Sequence, residues 1–82
     1  MDNTFMFYIL EMKARRDKLK KIARLLSMTE DPNDEVTRRQ VCQEVGLDFY
    51  TLAAEEQDFL EDCLTSLLDG YEEIWKIYKN ML

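Results

Sequence analysis

From Asp58 to the end of the chain the apolar residues keep one helical phase without a break. Leu60, Cys63, Leu64, Leu67, Leu68, Tyr71, Ile74, Trp75, Tyr78, Met81 and Leu82 fall on one side of a helix, while Asp58, Glu61, Asp62, Thr65, Ser66, Asp69, Glu72, Glu73, Lys76, Lys79 and Asn80 fall on the other. A helix this one-sided must lie against something, so the stripe predicts a protein built by packing helices. Gly70 sits inside it without disturbing the phase. Glycine costs only about 1 kcal/mol in a helix interior. Here it shares an edge with Cys63, Leu67, Ile74 and Ile77, where a missing side chain permits close approach.

The rest of the chain reads as helix too. A first helix is expected from Asn3 or Thr4, either able to cap it, to about Ser27. Phe5, Tyr8, Met12, Leu19, Ile22 and Leu26 follow three- and four-residue steps along it, with Arg15 at the one step where an apolar residue is missing. That seam should meet the core at both ends. Phe7, Ile9 and Leu10 widen its apolar surface to nearly the whole circumference, so the start should be surrounded on several sides. Ser27 to Glu35 is the one clear loop, with Asp31 before Pro32 or Asp34 before Glu35 able to cap the next helix. A second helix over about Asn33 to Val45 should turn Val36, Val41, Cys42 and Val45 inward, and Gly46 then Leu47 should stop it. Asp48 can then cap a third helix from Phe49, leading into the stripe with Glu56 as its one polar interruption.

These elements predict an all-α fold: one domain over 1–82, a small bundle of three helices at about 4–27, 33–45 and 49–82. If the last helix runs whole through Gly70, or with a gentle kink, it is about 50 Å long, whereas a compact domain of this size is around 30 Å across. The overhang then needs a second copy or another protein, and a homodimer is expected. The alternative is a compact four-helix monomer broken at Gly70.

Composition narrows the function. With 82 residues, 46% of them hydrophobic, the chain is too apolar for disorder, yet it lacks a metal-ligand cluster or cysteine framework to brace a small core. There is no histidine, which removes the commonest general base and metal ligand. Neighbouring carboxylates such as Glu55 and Glu56 point about 100° apart on a helix and share no site. No phosphate loop, calcium loop or zinc motif is present, so no enzyme activity, catalytic residue, cofactor, metal or small-molecule substrate is expected. Phe5 to Leu10 is too short for a signal peptide or membrane span and comes after Asp2, and the two cysteines suit a reducing compartment, so a cytoplasmic location without membrane contact is expected.

The leading expectation is a non-enzymatic protein–protein interaction module acting through amphipathic helix faces, as regulator, inhibitor, chaperone or assembly subunit. Phe5, Tyr8, Leu67, Tyr71, Ile74, Trp75 and Tyr78 are its candidate contact residues. Tyr71, Trp75 and Tyr78 are the natural anchors, unless they lie in the core of the single chain.

Charge is uneven along the chain. The net charge is −6, but residues 1–28 sum to +4 and residues 29–82 to −10. Arg15, Arg16, Lys20 and Lys21 on the first helix, with Arg38 and Arg39 on the second, are the candidate nucleic-acid contacts. The run Thr37 to Leu52 resembles the helix-turn-helix of bacterial transcription regulators through Cys42, Gly46, Leu47 and Leu52. That resemblance implies a nucleic-acid-binding regulator. Against it, the expected recognition helix continues Ala53-Ala54-Glu55-Glu56-Gln57-Asp58, with no basic side chain to meet phosphate. Through Gly70-Tyr71-Glu72-Glu73-Ile74-Trp75-Lys76, near its C-terminus, the chain is similar to the small acidic phage anti-sigma factors. This likeness implies a regulator that binds another protein and assigns no binding residue; a separate alternative, an acidic mimic of nucleic acid, would capture a basic partner through Asp58, Glu61, Asp62, Asp69, Glu72 and Glu73.

Overall fold

Short-range chemistry fixes some helix ends and packing fixes others. A computed structural model describes residues 3–81 as α1 (Thr4–Ser27), α2 (Glu35–Val45) and α3 (Ala54–Met81), with a 3₁₀ turn at Phe49–Thr51 ahead of α3. Leu82, the last residue of the expected third helix, lies outside the described residues. Asn3 occupies the N-cap position of α1 without a side-chain capping bond. The second helix starts later than its expected position at Asn33. Asp31 accepts from the Asn33 amide at 3.2 Å and closes its own turn, while Asp34 accepts from the Thr37 amide at 3.1 Å and caps α2 at Glu35.

Gly46 ends α2 as expected, with φ at 89°. Its amide donates to the Gln43 carbonyl and the Leu47 amide to the Cys42 carbonyl, the paired bonds of a Schellman stop. Leu47 is thereby turned into the core. Asp48 does accept from the Tyr50 amide, but it caps only the 3₁₀ turn. Leu52 then adopts an extended backbone and buries its side chain, so the third helix begins at Ala54 and not at Phe49. At that new start the Glu56 carboxylate reaches back to the Ala53 amide at 3.1 Å, one half of a capping box.

α3 runs unbroken through Gly70, which overturns the four-helix alternative. Among the described residues a Cβ placed at Gly70 meets no atom within 4 Å, so none of them uses the close approach the glycine permits.

α1 and α3 lie side by side and point the same way. Arg15 bonds Glu56, Arg16 covers Phe59, and Lys20 and Arg24 face Asp62, Ser66 and Leu67, so partner numbers rise together along both helices. α2 packs on α1 and on the 3₁₀ turn, and Arg38 ties it to Glu61 of α3. Between them lie Leu19, Ile22, Ala23, Leu26, Val41, Cys42, Leu47, Leu52, Leu60 and Leu64, all buried, with Leu25, Val45, Phe49, Phe59, Cys63 and Leu67 around the edge.

The parallel helices are staggered, and this sets the shape. α1 reaches the core only from about Arg15, leaving its first turns projecting at one end. α3 leaves the core after Leu67 and projects at the other. The chain therefore measures 60 × 30 × 19 Å with a radius of gyration of 15.8 Å, above the roughly 12 Å of a compact domain this size. Two expectations are corrected here. The seam residues Phe5, Tyr8 and Met12 are exposed and do not meet the core, because α3 starts too late to flank them. Val36 is 50% exposed, because at roughly 100° per residue it lies about 120° from Cys42 and about 180° from Val45, off the face of α2 that meets the core.

Candidate interaction surface

The two projecting ends carry most of the exposed apolar surface. On α1, Phe5, Met6, Phe7, Tyr8, Ile9, Leu10 and Met12 are 43 to 69% exposed. On α3, Leu68, Tyr71, Ile74, Trp75, Ile77, Tyr78 and Met81 are 37 to 80% exposed. Monomeric proteins scatter single apolar residues over their surfaces, but contiguous runs of this size mark contact surfaces. Trp75 and Tyr78, one turn apart, stack with ring centres 5.7 Å apart, which stiffens an otherwise free helix face.

Of the candidate contact residues, Phe5, Tyr8, Tyr71, Ile74, Trp75 and Tyr78 are exposed, and Leu67 is half-buried against the core. Tyr71, Trp75 and Tyr78 thus lie outside the core of the single chain. The structure adds Met6, Phe7, Ile9, Leu10 and Met12 at one end and Leu68, Ile77 and Met81 at the other. The near-circumferential apolar start of the first helix is the sequence signal for the former, and the unbroken stripe for the latter.

The grooves that border these ends are built from the two parallel helices. Met12, Arg15, Arg16, Leu19, Ala53 and Phe59 line a groove of about 240 Å³ at the root of the projecting α1 end. Further along, Lys20, Arg24, Phe59, Asp62, Cys63 and Leu67 line a shallower one. Phe59 is shared by both. Arg16 lies over its ring at 5.0 Å. Periodicity alone does not mark Phe59 as a contact residue, because its edge position matters only once α1 is beside it.

The basic residues divide into occupied and open ones. Arg15 makes a two-pronged bond to Glu56, Nε to Oε2 at 2.7 Å and a terminal nitrogen to Oε1 at 3.0 Å. These are the two polar residues that interrupt the first and third apolar seams, and they meet each other. The bond raises the pKa of Arg15 and, with the Ala53 amide, lowers that of Glu56 against the opposing effect of burial. Arg38 is held by the Glu61 carboxylate, the Pro32 carbonyl and the Asn33 side chain, with only 12% of its side chain exposed. It tethers the loop to α3, with three of its five N–H donors already engaged. Arg39 borders a surface depression beside Gly46 and Phe49, and Lys20 and Lys21 are exposed. The helix-turn-helix resemblance does not extend to geometry: residues 46–53, with a 3₁₀ turn among them, separate α2 from α3, where that motif uses three or four residues.

On the acidic side, Glu61 is committed to Arg38, and Glu72 lies 3.9 Å from Lys76 on the same helix. Asp58, Asp62, Asp69 and Glu73 are exposed. Among the described residues no group of three or more His, Cys, Asp or Glu gathers as a metal site, and no helix is long and apolar enough to cross a membrane. Cys42 is fully buried, and burial pushes its thiol pKa up, Arg38 pulling down and Asp48 adding a smaller push upward.

The fold and surface define a class, a three-helix bundle with two projecting apolar helix ends. No family model matches the chain, and neither a curated protein nor a solved structure matches it.

Proposed function

We propose that the protein is a small non-enzymatic interaction module of the cytoplasm that binds protein through its projecting helix ends. The observation that carries this reading is the exposure of Phe5 to Met12 on α1 and Leu68 to Met81 on α3, beyond a core that is already closed. A core of ten small and medium side chains does not require a further 14 residues of α3. A free, apolar helix of that length is marginal in water by itself, and covering it is the simplest source of stability for it. Tyr71, Trp75 and Tyr78 are the anchor residues, since aromatic side chains dominate binding energy at interfaces. Regulator, inhibitor, chaperone and assembly subunit all use such a surface.

Trp75→Ala tests the proposal. Trp75 is 59% exposed and makes no core contact, so the substitution leaves the bundle folded. It should weaken self-association or the capture of a protein partner from the native cell about tenfold or more. If oligomeric state and partner capture were both unchanged, the projecting ends would not be the working surface.

A further inference from the structure

The stagger that leaves the two ends bare also makes them complementary to each other. They project in opposite directions along one axis, about 15 Å for the α1 end and about 20 Å for the α3 end. Two-fold rotation about an axis across the bundle lays the α3 end of one copy along the α1 end of another, and repeats the same contact at the far end. A single symmetric operation thus covers both bare ends of both chains. A tail-to-tail pairing of α3 would leave every α1 end open.

We infer that the two projecting ends are occupied by a second copy of this chain, in an antiparallel two-fold dimer with each α3 end lying along the partner's α1 end. This rests on the reading that the projecting ends are docking surfaces, and it names their occupant. Charge order supports the antiparallel sense. Along α3 the projecting part begins acidic, with Asp69, Glu72 and Glu73, and its last turns carry Lys76 and Lys79 beside the apolar Ile74, Tyr78 and Met81. Along α1 the tip from Phe5 to Leu10 carries no charge, and Lys13, Arg16 and Lys20 come after it on one flank. Antiparallel alignment sets the acidic start of one against the basic stretch of the other, and tip against tip. It also sets the C-terminus of α3 beside the N-terminus of the partner's α1, with their dipoles opposed favourably. Parallel stacking would set Glu72 and Glu73 against the uncharged tip and build an open fibre in place of a closed pair.

The available area is sufficient. Phe5 and Tyr8 on one face of α1, with Tyr71, Trp75 and Tyr78 on one face of α3, are each 46 to 69% exposed; at about 150–250 Å² per aromatic side chain they offer roughly 550 Å² per copy. The aliphatic residues beside them bring two copies into the range of about 1,200–2,000 Å² buried by stable complexes. In this alignment Trp75 arrives at the groove lined by Met12, Arg16 and Phe59, the shape a centrally placed aromatic anchor fills.

The test combines mass and cross-linking. Sedimentation of the unsubstituted protein should give twice the chain mass of 9.8 kDa over a wide concentration range. On a Cys63→Ser background, Ile9→Cys and Tyr78→Cys single variants are mixed and oxidised. A 9–78 disulfide between chains should dominate, because each position lies far from its own counterpart in the partner. A 9–9 or 78–78 product, a mass that grows without limit, or a monomer at all concentrations would overturn the dimer. A monomer would leave the docking reading standing only if Trp75→Ala still reduced partner capture, so the two failures are distinguishable.

Discussion

The Arg15–Glu56 pair should be the electrostatic clasp that sets the register of α1 against α3, and its removal is measurable. The bond is two-pronged, at 2.7 and 3.0 Å, and the same carboxylate accepts from the Ala53 amide at 3.1 Å to cap α3. Arg15 remains 41% exposed and Glu56 22%, so solvent screens the pair. That places the coupling in a double-mutant cycle near about 1 kcal/mol, and not at the roughly 3–5 kcal/mol lost when a fully buried bridge is broken. Glu56→Gln with Arg15→Met supplies the cycle, read from urea midpoints at about pH 6.5 with the slope held equal. Acid should erase the effect. The Glu56 carboxyl titrates below its ordinary value in the folded chain, chiefly because Arg15 bonds its charged form. A depressed folded pKa gives stability that is complete above the unfolded value, about 4.3, and is lost as pH falls through the lower folded value. Wild type should therefore lose about 1 kcal/mol more than Glu56→Gln between about pH 5.5 and pH 2.5. A coupling near zero at neutral pH, or parallel acid losses in the two proteins, would refute the clasp.

Leu64→Ala should cost about 2–4 kcal/mol in chemical denaturation, since Leu64 is 2% exposed among Leu19, Ile22 and Leu60 and the cavity left behind cannot drain to solvent. Gly46→Ala should destabilise by about 1 kcal/mol or more, and an unchanged melting point would contradict it. The nearest atom to an added Cβ there is Lys18 Nζ at an ordinary 3.8 Å, so the cost arises from φ at +89° and not from crowding. Under native conditions Cys63 should react with a disulfide reagent well before Cys42, because Cys63 is half-exposed at the groove whereas Cys42 is buried with a raised pKa. Equal rates would mean the core opens readily.

Helix existence and phase are legible in the sequence because they rest on local chemistry. The seam Leu19, Ile22 and Leu26, the Gly46-Leu47 stop and the unbroken stripe through Gly70 all stand where periodicity and turn chemistry put them. The start of the third helix differs from its expected place at Phe49 because two tendencies compete there. Asp48 offers a cap, but burying Leu52 needs an extended backbone immediately afterwards. Among candidate contacts, exposure of Tyr71, Trp75 and Tyr78 is not legible, since an apolar stripe reads the same whether the chain or a partner covers it. Arg38 likewise reads as an open basic residue until the fold brings Glu61, from the far side of the next turn, beside it.

The sequence by itself determined that this protein is helical, where its helices stop, and which side of each is apolar, because every one of those features depends on residues within a few positions of each other. Only the tertiary structure decided that α1 and α3 run parallel and out of step. Apolar seams repeat every turn, so two of them match nearly as well after a slip of about one or two heptads. The slip is resolved by contacts distant in sequence: Arg15 with Glu56, Arg16 with Phe59, Arg38 with Glu61. That offset is what bares Phe5 to Met12 at one end and the second half of the stripe at the other.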